Sequence, residues 1–213
     1  NITGDTGTFS SSQSESTVAE LQNKVVEIDS GVGVVKLTNV TTTGFKIDHA
    51  LASPVSGAKC KKKYPSASGS SSHAEGGGTT ASGDYSHAEG SGTKASGSYS
   101  HAEGSGTTAG GNYSHAEGSG TTASGNDSHA EGISTTASGY SSHAEGGSTT
   151  AGNNFSHAEG YGTKAEGSSS HAEGYNTTAS GYSHAEGSGT KASGMFSHAE
   201  GYNATANGQF SHA

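Results

Sequence analysis

A His-x-Glu pair recurs through most of the chain. The segment Ser-His-Ala-Glu-Gly first occurs at residues 72–76 and returns at a spacing of 14 residues. The first three pairs are His73 with Glu75, His87 with Glu89, and His101 with Glu103. In an extended segment, residues two apart lie on one face, and parallel stacking sets each pair above the next. Imidazole and carboxylate together are ligands for divalent transition metals.

An architectural ladder explains the same array without a metal, with each imidazole donating a hydrogen bond to the carboxylate of its own strand. We favour the ladder, and predict neither a metal site nor a cofactor. If the pairs hold protonated histidine, folding raises the histidine pKa. The stability from the pairs is then present below the unfolded pKa and lost as the pH rises through the folded value.

Neither the serine nor the threonine of the repeat predicts a reactive or ice-binding site. Ser72 directly precedes His73, and neighbours in a strand face opposite ways, so the serine cannot reach the imidazole as a nucleophile must. We therefore predict no catalytic residues and no enzyme activity. A regular threonine, first Thr79, lies two residues before an inward alanine. It should point inward, away from any ice-binding face.

The histidines give the register of the repeat: 73, 87, 101, 115, 129, 143, 157, 171, 184, 198 and 212. Every step is 14 residues except the step from His171 to His184, where the block that Tyr182 closes has lost one residue. Each block divides into two sevens of the form [Ser/Thr]-x-Ala-x-Gly-x-x. The chain stops inside an eleventh turn at Ala213, which we interpret as a truncated array.

The repeat predicts short strands rather than a coiled coil. A coiled coil needs large apolar residues at its seam and tolerates little glycine, whereas the regular positions here are alanine and glycine. Within Ser-His-Ala-Glu-Gly, the serine, alanine and glycine should face inward and the histidine and glutamate outward. Glycine supplies a positive φ or a close approach at each corner. Residues 65–213 are thus predicted to form a left-handed parallel β-solenoid, with ten turns spanning about 48 Å at ~4.8 Å per turn.

The solenoid has few large apolar side chains with which to build a core. Leu, Ile, Val and Phe number only 20 of 213 residues, a level typical of disordered chains. We therefore expect association into a homotrimer to complete the buried surface. The predicted interface is the aromatic residue that ends many blocks: Tyr85, Tyr99, Tyr113, Phe155, Tyr182, Phe196 and Phe210. The alternative is a stacked surface ladder on a monomer.

Three segments precede the solenoid. Residues 1–16 are predicted to be an extended arm or linker, 17–30 a short helix in a trimeric coiled coil, and 31–64 a β neck with strands at 32–40 and 44–50. The helical seam consists of Val18, Leu21, Val25 and Ile28, at 3-4-3 spacing. The alternative for this helix is packing on a small domain.

Charge and hydropathy argue against several partners. The formal net charge is −9, and the chain has no arginine, so nucleic-acid binding is not expected. No run of apolar residues is long enough to span a membrane. The single cysteine, Cys60, allows no intrachain disulfide.

The [Ser/Thr]-x-Ala-x-Gly-x-x frame over about residues 65–213 resembles the head repeats of trimeric autotransporter adhesins of the YadA type. That resemblance implies left-handed parallel β-rolls packed as tight trimers. The Ser-His-Ala-Glu-Gly form is similar to repeats in tail or appendage proteins of phages. A helical candidate before the solenoid fits a phage fibre better than an autotransporter. The expectation is an extracellular fibre segment on a virion tail, attached through its N-terminal part and contacting a host-cell receptor. The alternatives are a bacterial or spore-surface adhesin and a subunit of an extracellular filament.

Overall fold

A computed structural model describes residues 65–213 throughout and six strands in the part of the chain before them. The chain divides into two compact units, Asn1–Tyr64 and Pro65–Ala213. Every regular element in the described part is a β-strand, as the predicted all-β class requires. No helix in the described residues has the length and apolar character needed to cross a membrane.

The first unit contains one antiparallel sheet, with strand order β1-β2-β5-β4-β3-β6. Its strands are β1 (Ile2–Thr3), β2 (Thr6–Thr8), β3 (Val25–Ile28), β4 (Gly33–Thr38), β5 (Gly44–Ile47) and β6 (Cys60–Lys62). Strands β4 and β5 fall inside the two segments that the sequence predicts as strands, and they pair with each other.

The predicted helix over 17–30 is wrong at its C-terminal end. Val25 and Ile28 lie in strand β3, which pairs with β4 on one side and β6 on the other. A helix of about 12 residues is marginal alone, and Val-Val-x-Ile is rich in β-branched side chains that favour strands. An extended strand repeats every two residues, so it cannot present a 3-4-3 seam. Val18 and Leu21 lie outside the described residues, as does most of the predicted arm.

The second unit is a stack of turns that each contribute one long and one short strand. The long strands are β8 (His73–Gly77), β10 (His87–Ser91), β12 (His101–Ser105), β14 (His115–Ser119), β16 (His129–Ile133), β18 (His143–Gly147), β20 (His157–Tyr161), β22 (His171–Tyr175), β24 (His184–Ser188) and β26 (His198–Tyr202). The short strands are β7 (Ser66–Ala67), β9 (Thr80–Ala81), β11 (Lys94–Ala95), β13 (Thr108–Ala109), β15 (Thr122–Ala123), β17 (Thr136–Ala137), β19 (Thr150–Ala151), β21 (Lys164–Ala165), β23 (Thr178–Ala179), β25 (Lys191–Ala192) and β27 (Thr205–Ala206).

The two strand types form two parallel sheets, which confirms the predicted parallel β-solenoid. We call the 10-stranded sheet of long strands the His–Glu sheet and the 11-stranded sheet of short strands the Thr–Ala sheet. Each strand pairs with the equivalent residues one block away, so His87 lies opposite His101 and Ala95 opposite Ala109. The short block keeps this register, because His171 still pairs with His184. The missing residue is absorbed at the corner before Ser183.

The interior consists of four columns of small side chains. Alanine from both sheets is buried in turn after turn, from Ala81 to Ala206. The threonine before the short strands from β9 to β25 and the serine before the long strands from β10 to β26 are buried beside the alanines, for example Thr93 and Ser100. The serine Oγ donates to the glycine carbonyl three residues earlier, at 2.6 Å for Ser100 to Gly97. The inward positions predicted from the sequence are therefore correct, and the threonines do not form a surface array.

Candidate functional site

The outer face of the His–Glu sheet carries the histidine and glutamate of every long strand. Alternation along each strand buries the central alanine and leaves the two flanking side chains about half exposed. Parallel in-register pairing then places histidine over histidine and glutamate over glutamate. We call this array the His–Glu column. It runs from His73 to Glu200, with His212 extending the row of histidine rings.

The distances within the pairs differ from the predicted hydrogen-bonded ladder. His73 Nε2 lies 3.4 Å from Glu75 Oε2, within hydrogen-bond reach. In the next two pairs the Nε2–Oε2 distance is 4.0 Å at His87 and 3.8 Å at His101. Such distances permit an ion pair if the histidine is protonated, but they are too long for a hydrogen bond. Of the described pairs, only the first fits the donor–acceptor ladder.

The imidazole rings contact one another instead. Neighbouring ring centroids are 4.7–5.1 Å apart, and the His171 and His184 planes are almost parallel, at 5°. From His87 to His198, each Nε2 atom is shielded from solvent and has no hydrogen-bond partner in the structure. The column therefore presents a row of nitrogen lone pairs or N–H groups without partners, each beside a carboxylate.

Burial and crowding lower the pKa values of three histidines in the column. The pKa of His129 is lowered from 6.5, first by desolvation and then by the neighbouring His115 and His143, against a smaller opposing effect of nearby glutamates. Burial and adjacent histidines also lower the pKa of His171 and of His184. These imidazoles are neutral at neutral pH. The raised pKa expected for protonated His–Glu pairs is wrong for these three residues, since desolvation and histidine–histidine repulsion outweigh the attraction of the carboxylates.

Three potential metal-ligand atoms come within 4.8 Å of one another at two places in the described residues. One set is His171, Glu173 and His184, and the other is His184, Glu186 and His198. The three pairs from His73 to Glu103, which the sequence analysis named as ligands in the less favoured metal-binding alternative, are not among these sets. Sequence reasoning missed the His184 sets, although the 13-residue step that marks them was visible.

The predicted interface aromatics lie at one corner of the turn. All seven are exposed, and six of them stack in two runs of three, with Tyr85–Tyr99 centroids 4.8 Å apart and Phe196–Phe210 centroids 5.4 Å apart. Between the runs, Asp127, Ser141 and Ser169 replace the aromatic residue, and Phe155 meets Tyr140 edge-on. We call the residues at the last position of each block, from Tyr85 to Phe210, the corner column.

Every residue of the corner column has a left-handed backbone, with φ of 58° at Tyr99. This conformation costs a non-glycine residue about 1–2 kcal/mol. Hydrogen bonds between turns hold the corner in place, because the Tyr99 amide donates to the Asp84 carbonyl oxygen at 2.8 Å. This conformation was not predicted from the repeat, since glycine was the expected residue at a positive φ.

A second group of exposed aromatics lies at the ends of long strands. Tyr161 and Tyr175 stack with centroids 5.6 Å apart, and Tyr202 occupies the same position further along. Serine or glycine fills this position in most other turns, for example Ser105 and Gly147. These tyrosines are therefore additions to the repeat rather than part of its framework.

Fold and surface together define a parallel β-solenoid repeat protein whose outer faces carry regular columns of like side chains. No protein-family model matches the chain, and comparison with curated proteins gives no significant match.

Proposed function

We propose that this chain is a structural segment of a homotrimeric extracellular fibre, most simply a phage tail fibre or appendage that attaches to a host cell surface. A bacterial or spore-surface adhesin built on the same roll is the alternative. The solenoid serves as a rigid spacer or contact surface and performs no chemistry. The observation that carries the proposal is the exposed, stacked corner column on a body whose own core contains only small side chains.

The energetics of the core support association. Alanine, threonine and serine bury little apolar area, at about 0.8 kcal/mol per CH₂, against a backbone entropy cost of ~1–2 kcal/mol per residue. The large apolar side chains of residues 65–213, by contrast, are exposed. An exposed apolar strip of this length marks an interaction surface in a soluble protein. A second copy of the chain is the natural occupant, because its corner column has the same spacing of about 4.8 Å and can interdigitate turn for turn.

Charge favours a surface-facing role for the His–Glu column. Residues 65–213 contain 13 Asp and Glu residues but only 3 Lys, and one glutamate per turn lies on the outer face of the His–Glu sheet. Two such faces pressed together would repel each other at neutral pH. The corner column is therefore the better contact between chains, and the His–Glu column is left facing outward.

The first test is the native mass in solution, measured by light scattering over a range of concentrations. We expect a constant value of three times the 20.9 kDa chain mass. A single-chain mass would remove the interface argument, and growth without limit would favour the filament subunit. Attachment is tested separately, by saturable adsorption of fluorescently labelled protein to intact bacterial cells in competition with unlabelled protein.

A further inference from the structure

The two three-ligand sets of the His–Glu column share one residue, His184. In the first set, His184 joins His171 and Glu173 from the preceding turn. In the second, it joins Glu186 of its own strand and His198 of the following turn. The pairing that β24 makes with β22 and β26 holds these side chains in fixed register. His184 thus lies at the centre of the best-assembled donor cluster in the described part of the chain.

The position of His184 coincides with the one departure from the 14-residue block length. His184 begins the strand that follows the block of 13 residues, and its ring lies 4.7 Å from the His171 ring, the closest approach among the column histidines. At this corner Gly181 takes a positive φ of 62°, and Ser183 Oγ donates to the Ala192 carbonyl oxygen. In neighbouring turns the serine bonds to the glycine three residues earlier, as Ser197 does to Gly194. The corner therefore has a different backbone conformation and a different serine hydrogen bond where the ligand sets occur.

We propose that the column binds one divalent transition-metal ion at His184, with Glu173 and His171 or Glu186 and His198 as the other two protein ligands. Two imidazole nitrogens and one carboxylate oxygen form a donor set typical of zinc sites that keep an open position for water. Nitrogen donors favour Zn²⁺, Co²⁺, Ni²⁺ or Cu²⁺ over Ca²⁺ and Mg²⁺, which prefer oxygen ligands. Because both sets need His184, each chain binds one ion. This inference does not depend on the proposed fibre function.

The geometry requires only a small rearrangement. A tetrahedral ion with bonds of about 2.0–2.1 Å holds its ligand atoms roughly 3.4 Å apart. His184 Nε2 and Glu186 Oε2 are already 3.6 Å apart. Because the ligand atoms of each set already lie within 4.8 Å of one another, the histidines of adjacent turns must approach by at most about 1.4 Å, which half-exposed side chains permit. No hydrogen bond is lost in the process, because the Nε2 atoms of His171, His184 and His198 have no partner.

Calorimetric titration with ZnCl₂ of the full chain, freed of metal by a chelator, tests the site. We expect one saturable binding event per chain, with Co²⁺ giving the visible absorption bands of a tetrahedral nitrogen–oxygen site. In His184→Gln the affinity should fall at least tenfold. His101→Gln is the matched control, because the His101 ring is stacked between those of its two neighbours, as the His184 ring is, but belongs to neither ligand set. His49 and Cys60 offer ligands elsewhere in the chain, and they are identical in both variants.

Three results would overturn the proposal. They are the absence of Zn²⁺ binding, an equal loss of affinity in the two variants, and a stoichiometry that follows the number of turns. Circular dichroism must show that the variants keep the wild-type fold. If His184→Gln does not fold, the double variant Glu173→Gln/Glu186→Gln takes its place, with Glu117→Gln/Glu131→Gln as its control. The first double variant should lose at least tenfold in affinity, and retention of wild-type affinity there would also overturn the site.

Discussion

Gly111 lies directly against Gly125 of the next turn, and the carbonyl oxygen of Gly125 occupies the space that a Cβ atom on Gly111 would fill. The neighbouring residue, Gly110, is different. A Cβ on Gly110 would have its nearest heavy atom at 3.7 Å, an ordinary van der Waals contact. The two glycines are adjacent in the chain, but only Gly111 lacks room for a Cβ atom between the stacked turns.

This contrast predicts opposite effects of alanine at the two positions. Gly111→Ala should destabilise the protein by about 1–3 kcal/mol, because the obstructing atom is backbone and the turns must shift to make room. Gly110→Ala should be neutral or stabilising by ~0.4–1 kcal/mol, since it reduces the entropy of the unfolded chain. Urea unfolding followed by circular dichroism measures both. Equal effects of the two substitutions would contradict the role assigned to the close approach.

The buried threonine column predicts a stabilising substitution. Thr121 Oγ1 is buried without a hydrogen-bond partner, as are its equivalents from Thr79 to Thr190. Valine has the same shape but no hydroxyl, so Thr121→Val removes the desolvation cost of an unpaired group. We expect an increase of about 1 kcal/mol in unfolding free energy and a higher Tm. Thr121→Ser, which keeps the hydroxyl and loses the methyl group, is the control and should lower the Tm. A lower Tm for Thr121→Val would mean that the hydroxyl has a partner.

An asparagine near the corner links successive turns through its side chain. Asn126 Oδ1 accepts a hydrogen bond from the Asn112 amide at 3.0 Å. Asn126→Ala should cost about 0.5–1.5 kcal/mol, the net contribution of one hydrogen bond. Ser98 occupies the same position of the repeat, and no hydrogen bond of its side chain is found in the structure. Ser98→Ala is therefore the matched control, with no expected change in chemical denaturation.

The sequence predicted the solenoid well because its information is repeated. Strand alternation around Ala88 or Ala95, together with a fixed block length, determines which residues face inward and which turns pair. The prediction from sequence failed at Val25 and Ile28, because this single short segment has both the spacing of a helix and the β-branched composition of a strand. Only pairing with β4 and β6, which comes from distant residues, favours the strand. Non-local pairing of this kind leaves no local pattern to detect.

The site was less predictable than the fold, because its properties depend on distances between side-chain atoms. Repetition identified which residues share the His–Glu column but not the distance between their atoms. Whether His101 reaches Glu103 depends on side-chain rotamers, and its 3.8 Å separation rules out the expected hydrogen bond. The direction of the His129 pKa shift depends first on the burial of the ring and then on the spacing of adjacent rings, such as the 4.8 Å between His115 and His129.

The lowered histidine pKa values predict a loss of stability in acid. Burial lowers the pKa of His129 most, the facing His115 and His143 lower it further, and Glu131 and Glu117 oppose these effects less strongly. Its stability contribution is present above the unfolded value of 6.5 and is lost as the pH falls through the lowered folded value, because the unfolded state binds the proton more readily.

Differential scanning calorimetry in the presence of EDTA should therefore show a Tm that falls between pH 7.5 and pH 5. His129→Gln, which cannot titrate in this range, should show a smaller fall than the wild type. A Tm that rises on acidification would instead indicate protonated His–Glu pairs with raised pKa values.

The corner column predicts a separation between folding and assembly. Asparagine tolerates a left-handed backbone, and polar residues already occupy this position at Asp127 and Ser141, each with positive φ. The triple variant Tyr85→Asn/Tyr99→Asn/Tyr113→Asn should therefore keep its circular dichroism spectrum but lose trimer mass in light scattering. The matched control replaces Tyr161 and Tyr175 by serine, the residue at the same position in several other turns, and should remain trimeric. If both variants assemble like the wild type, the corner column is a surface ladder and the contact between chains must lie elsewhere.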